Sequence, residues 1–198
     1  RDHLEWLGSR DRASAEAYWG RHLAPVVAPS RLLLAPPGSP GTGMGERLIT
    51  LDETVSSTLE AFAQEHDLTQ ATVLQGLYGL LLARLSGQDE IVIGSVRSGR
   101  SSLRPGLERA LGLFIETLPL YLPLSGDVSL TEWLRGQQTE QAAQAAHGHL
   151  GLAAIQGLSG FPGSALFEAL FVYENYPVEG ADGSFAELEV SDIVGVDG

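Results

Sequence analysis

Cysteine and lysine are both absent from the 198 residues, and methionine occurs once. Without cysteine there is no disulfide and no thiolate metal site, a usage that fits a cytosolic protein. All twelve basic residues are arginine, and they thin out where acids collect. Residues 111–198 hold one base, Arg135, against twelve acids, which is −11 of the formal −13. That sign repels phosphate backbones, so nucleic-acid binding is not expected; ordinary solubility accounts for it better than an acidic docking face does. There is no signal peptide and no long uncharged apolar run, so neither secretion nor a membrane span is expected. No internal repeat is found. The phosphate-loop spacing is missing, and no Ser/His/Asp order carries a nucleophile elbow.

What remains is the composition of a globular protein, 43% hydrophobic, sized for one domain or part of a larger one. Starting at Arg1 and ending in Gly195-Val196-Asp197-Gly198, it reads as a piece of something longer. The organising stretch is Thr69–Pro119. The spacing predicts a helix over Thr69–Leu85, apolar nearly all round through Val73, Leu74, Leu77, Tyr78, Leu80, Leu81, Leu82 and Leu85, and hence buried. Thr69 is its expected cap, and Ser86-Gly87 ends it. Glu90–Arg97, β-branched at its centre, is expected to be a strand buried on both faces. A second strand, Phe114–Leu124, carries Pro119 and Pro123, which argues for an edge or a bulge. The fold class is therefore α/β, a mixed sheet packed with helices.

Around that core, Arg1–Arg10 reads as the tail of an amphipathic helix. Ala15–Leu23 is a helix capped by Ser14, with Tyr18, Trp19 and Leu23 as its buried stripe. Residues 35–46 form a proline- and glycine-rich loop, expected to be mobile. Arg47–Leu51 is a short strand candidate, followed by helix Glu53–Glu65. Ser129-Leu130-Thr131-Glu132 is a capping box for a helix to about Ala146, whose glutamine- and alanine-rich far half should be weakly anchored. A short helix, Leu152–Leu158, precedes a turn at Gly160–Gly163 and a strand, Leu166–Tyr173. Residues 178–198 are acidic and weakly structured, with one strand candidate at Leu188–Val194.

Arg97 and Arg100, on the loop after the buried strand, are the first candidates for chemistry, although a structural role suits Arg100 better than a substrate clamp. Glu116 alternates with Ile115 and Thr117, pointing either to solvent, the favoured reading, or into a polar cavity. His147-x-His149 has metal-ligand chemistry, but its rings fall on different sides of a helix end and no third ligand is placed, so no metal is expected. The residues alone supply no complete catalytic set.

Several segments, in order, resemble the C-terminal half of a condensation domain from a nonribosomal peptide synthetase. They are Arg1–Leu7, Ala15–Trp19, Gly87–Gly94 with Ser98-Gly99-Arg100, Gly112–Pro119, His147–His149 with Ala154-Ile155-Gln156, and Leu166-Phe167-Glu168 with Val172–Pro177. The resemblance implies one chloramphenicol-acetyltransferase-like lobe of a V-shaped pair, truncated at both ends. It implies amide formation between a donor thioester and an acceptor amine, each on the phosphopantetheine arm of a carrier protein, with no cofactor bound directly. Its expected partners are the N-terminal lobe, peptidyl or aminoacyl carrier proteins and an adjacent adenylation domain. The family's His-His-x-x-x-Asp-Gly motif is not in this sequence, so no catalytic residue is assigned here and the piece should not catalyse alone. Ser98, Gly99, Arg100, Glu116, Thr117, His147 and Asn175 are then expected on the substrate tunnel. Glu116 stands where the family usually has asparagine, and Leu150-Gly151 replaces a usual proline. An epimerization domain, or a catalytically silent relative acting as a docking platform, are the alternatives.

Overall fold

The structure is a computed structural model that describes residues 6–32, 45–98, 114–124, 126–174, 184–185 and 188–189. Its elements are α1 (Arg12–Leu23), α2 (Glu53–Glu65), α3 (Gln70–Ser86), β1 (Glu90–Ser98), β2 (Ile115–Pro123), α4 (Leu130–His147), α5 (Leu152–Gly157), β3 (Leu170–Val172), β4 (Ser184–Phe185) and β5 (Leu188–Glu189). One helical turn at 6–8 precedes them, and a 3-10 turn, Gly148–Leu150, joins α4 to α5.

The expected central strand is central. β1 pairs antiparallel with β2 along its whole length and parallel with β3, giving the order β2-β1-β3. Ile91, Val92, Ile93 and Gly94 are buried, as a strand covered on both faces requires. One face carries Ile91, Ile93, Leu120 and Leu122 against Leu82 of α3. On the other, Val92 packs with Trp19 and Leu23 of α1, Ile155 of α5 and Leu166. Each such large side chain contributes about 1.5–3 kcal/mol on full burial. Helix α3 can lie close because Gly76 and Gly79 face its neighbours: a Cβ at Gly76 would collide with Leu134 and Trp133, and one at Gly79 with Leu122.

Among the described residues β2 lies at the edge of the sheet, one of the two outcomes its prolines predict. Pro119 and Pro123 have no N–H, and α4 takes their carbonyls: Gln144 Nε2 donates to Pro119 at 3.4 Å and Trp133 Nε1 to Pro123 at 2.6 Å. The helix starts also follow local chemistry. Thr69 accepts from the Thr72 N–H, and Ser129 with Glu132 closes both halves of a capping box. Gly87, at φ 68°, ends α3 in the left-handed conformation that glycine tolerates.

Several expectations are corrected. α1 begins at Arg12 and is capped by Asp11, whose side chain accepts from the Ser14 N–H, so Ser14 is not the cap. Ala15, Trp19 and Leu23 are buried while Tyr18 is only half-buried. α3 is not buried all round: Leu77, Leu80, Leu81 and Leu85 are exposed. Arg47–Leu51 forms no strand; Leu48 and Ile49 are 85% and 72% exposed. The strand expected over Leu166–Tyr173 is confined to Leu170–Val172, because Leu166–Ala169 bend to bring Leu166 into the core. Leu188–Glu189 is strand, paired with Ser184–Phe185, and residues 190–194 lie outside the described residues, as do 35–44 of the expected loop.

The far half of α4 is firmly anchored. Gln137 and Gln144 are buried, and Gln138 fastens the α2–α3 turn: its Nε2 donates to Asp67 O at 2.8 Å and its Oε1 accepts from Thr69 N at 2.7 Å.

Candidate functional site

The strand directions bring the candidate residues to one end of the sheet. β1 finishes there at Ser98 and β2 starts there at Ile115, and β3, parallel to β1, runs toward the same end. Ser98 is exposed and registers with Ile115, Arg97 with Glu116, and Val96 with both Thr117 and Val172. The N-terminus of α3 arrives beside them, since Tyr173 Oη donates to Gln70 Oε1 at 2.9 Å. The C-terminal turns of α4 close the same end, where Arg97 Nη1 donates to Gln141 O at 3.3 Å.

Arg97 is half-buried. Burial lowers its guanidinium pKa from the ordinary value, and the carboxylate of Glu116 opposes that shift. Glu116 is itself half-buried, contrary to the favoured solvent-facing reading. A Cβ built on Gly148 would stand 3.0 Å from its Oε2, so the carboxylate lies against the junction of α4 and the 3-10 turn. His147 is separated from it by one residue and faces α1. Its ring stacks on Tyr18 at 4.3 Å, its Nδ1–H donates to Ala143 O at 2.9 Å, and its carbonyl accepts the Trp19 indole N–H at 2.9 Å. Of the expected tunnel residues, then, Ser98, Glu116 and Thr117 sit on the sheet end and His147 anchors the helix that closes it. Gly99, Arg100 and Asn175 lie outside the described residues.

The sequence reading missed a polar layer under this wall. Gln75 of α3, buried, donates from Nε2 to Ser95 Oγ at 2.7 Å. Gln137 turns a buried Oε1 inward with no hydrogen-bond partner among the described residues. Beside it, Glu140 accepts from Tyr18 Oη and lies 3.0 Å from His22 Nδ1, while Gln144 Nε2 faces His22 Nε2 at 3.2 Å. Burial raises the Tyr18 pKa, with Glu140 adding to it, and lowers that of His22 against the pull of Glu140. The signal available was the spacing 137, 141, 144, one face of a helix, with glutamine at each place. Among the described residues no group of three or more His, Cys, Asp or Glu side chains converges as a metal cage. No described helix is long and apolar enough to cross a membrane. Chemically this wall can orient and neutralise hydrogen-bonding groups.

A mixed α/β lobe with a central β1, helices on both faces and polar groups gathered at one sheet end defines the class structurally. Solved structures share it. The X-domain from teicoplanin biosynthesis matches with a TM-score of 0.68 at 21% identity, over 85% of this chain and 39% of that one. The condensation domain from the Monacolin K polyketide synthase MokA matches with a TM-score of 0.63 at 21% identity, over 83% and 39%. The Condensation domain family model matches residues 1–195, and the chain belongs to that family, with its chloramphenicol-acetyltransferase-like fold. Among curated relatives, a linear gramicidin synthase of Brevibacillus parabrevis is 36% identical over 199 residues, 96% of this chain and 2% of that protein. Vanchrobactin synthetase VabF of Vibrio anguillarum is 37% identical over 171 residues, 86% of this chain and 6% of that protein. The chain thus spans a small fraction of the length of the relatives it matches.

Proposed function

We propose that residues 1–198 are the C-terminal lobe of an amide-forming condensation domain and supply one wall of its reaction tunnel. An acceptor amine, carried as an aminoacyl thioester on one carrier protein, attacks the donor thioester carbonyl on another. The C–N bond forms, the donor C–S bond breaks, and the nitrogen gives up a proton as the phosphopantetheine thiol leaves. The group that orients or deprotonates the amine belongs to a His-His-x-x-x-Asp-Gly motif that this sequence does not contain, so the lobe alone is inactive. Ser98, Gly99, Arg100, Glu116, Thr117, His147 and Asn175 are its tunnel residues. Its partners are the N-terminal lobe, the two carriers and an adjacent adenylation domain, in the cytoplasm.

The observation that carries this reading is the meeting of β1, β2 and β3 ends, the α3 N-terminus and the α4 C-terminal turns around Arg97 and Glu116, in a chain of the condensation family. The test is reconstitution of the intact synthetase module with donor- and acceptor-loaded carriers. Amide product is expected; loaded carriers that only hydrolyse would leave the docking-platform reading. In the same assay Glu116→Asn tests Glu116 as a determinant of acceptor preference. An unchanged rate with the native acceptor would end that role.

A further inference from the structure

Glu116 carries its charge in a place that disfavours one. It is half-buried, and its Oε2 lies against Gly148, the residue that caps the C-terminus of α4. The carbonyl end of a helix is the negative end of its dipole, so an anion there is destabilised and a cation favoured. The buried Leu118 meets the same glycine and closes the contact from the strand side. A carboxylate so placed needs an opposite charge within reach.

The register supplies it. Arg97 of β1 stands directly opposite Glu116 of β2, and opposite residues of an antiparallel pair share a face, with Cβ atoms about 4.5–5.5 Å apart. That face is the helical one. Ser95, two residues before Arg97, accepts from Gln75 Nε2 of α3, and Arg97 Nη1 donates to Gln141 O of α4 at 3.3 Å. Gln141 lies about two turns, or about 10 Å, before Gly148, so the two charges bracket the end of α4. The Glu116 carboxylate also offsets part of the effect of burial on the Arg97 guanidinium.

We propose that Arg97 is a positioning residue: its guanidinium balances Glu116 and holds the carboxylate against the α4 terminus, so that the two act as one unit in orienting the acceptor aminoacyl group. The consequence for the reaction rests on the tunnel reading above, whereas the pairing is a property of the lobe. An ionised carboxylate only accepts hydrogen bonds, so in this position Glu116 takes an N–H or O–H of the acceptor group. The pair is unequal. Without Glu116, Arg97 keeps the Gln141 carbonyl and sits at the helix end that favours a cation. Without Arg97, Glu116 is a half-buried anion at the wrong end of a helix, and it turns away from the wall.

Arg97→Met keeps an extended side chain without the charge, and Glu116→Gln keeps the shape of the partner without its charge. Each alone and both together, in the intact synthetase module with loaded carriers, test the assignment. Arg97→Met is expected to lower kcat for amide formation at least about tenfold, with KM for the acceptor carrier little changed. In the Glu116→Gln background the same substitution is expected to lower kcat less than about threefold. Arg10, whose Nη2 donates to Ala146 O at 3.3 Å, also reaches these turns, and Arg10→Met is expected to act alike in both backgrounds. Equal losses for Arg97→Met in the two backgrounds, or a loss carried by KM, overturn the proposal. So does a dependence on Glu116 shown by Arg10→Met and not by Arg97→Met. Urea unfolding of the 198-residue chain reads the pairing without the reaction: Arg97→Met is expected to lower the midpoint more in the parent than in Glu116→Gln. Equal shifts overturn the proposal whatever the module does. Unequal shifts beside a parent module that makes no amide end the tunnel reading and keep Arg97 as the partner that positions Glu116.

Discussion

The indole N–H of Trp19 donates to the carbonyl of His147 across 2.9 Å, tying α1 to the last residue of α4. Trp19 is fully buried and His147 half-buried, so the bond is partly shielded from water. Trp19→Phe keeps most of the apolar volume and removes the donor, leaving a carbonyl short of its partner. The expected cost is about 1–3 kcal/mol, read as a lower urea midpoint at constant slope. A midpoint equal to the parent's would show that the bond contributes nothing.

The cluster around His22 predicts a pH response. His22 is held below its ordinary pKa first by burial, with the Glu140 carboxylate pulling the other way. Glu140 and Gln144 face it from α4, Tyr18 from its own helix and Tyr121 from β2. The unfolded chain therefore takes up a proton at higher pH than the folded one does. Stability is complete above the unfolded value near 6.5 and falls as pH drops through that value toward the folded pKa. His149, also lowered by burial and by Arg10, adds to the same trend. His22→Gln should flatten the stability–pH curve below about 6.5 without abolishing its slope. A curve that keeps its full slope in the variant would remove His22 from the account.

Two glycines in helices should respond with opposite signs. A methyl at Gly76 meets buried Leu134 and the Trp133 ring, whereas one at Gly136, exposed on α4, meets nothing within 4 Å. Gly136→Ala gains helix propensity and should stabilise by about 0.5–1 kcal/mol. Gly76→Ala has the same gain but must displace core side chains, for a net loss of about 1–2 kcal/mol. Thermal melts of the two variants should move in opposite directions. Parallel shifts would mean that the α3–α4 contact is looser than the packing around Gly76.

What the sequence revealed was local, and what it hid was distant. Thr69, the Ser129–Glu132 box and the glycine after Ser86 mark their helix ends through contacts three or four residues away. The bounds of α2 and the centrality of β1 were legible for the same reason: period and composition suffice. Asp11 and Ser14 are both good caps, and only the Asp11 bond to the Ser14 N–H decides between them. Gln144 reads as a surface residue, yet its partners are His22 and Pro119, far away in the chain. Arg47–Leu51 has strand composition, but a strand is a property of a pair. At the candidate site, Ser98, Glu116 and Thr117 were each legible as residues. Their meeting with Arg97 and Gly148 required the register and the α4 terminus.

The contact between Glu116 and Gly148 offers a final test. Gly148 has φ −67°, so alanine is acceptable to the backbone and only the added methyl matters. That methyl would lie 3.0 Å from Glu116 Oε2 and 3.1 Å from Leu118 Cδ1. Gly148→Ala alone is expected to cost about 1–2 kcal/mol, because the buried Leu118 cannot retreat freely. In a Glu116→Ala background the carboxylate is gone and only the Leu118 contact remains, so the same substitution should cost less. The difference is a coupling energy of at least about 0.5 kcal/mol, measurable by a double-mutant cycle in urea. Strict additivity would mean that Glu116 swings clear of the α4 terminus, and the half-buried carboxylate would then have to be placed elsewhere at this end of the sheet.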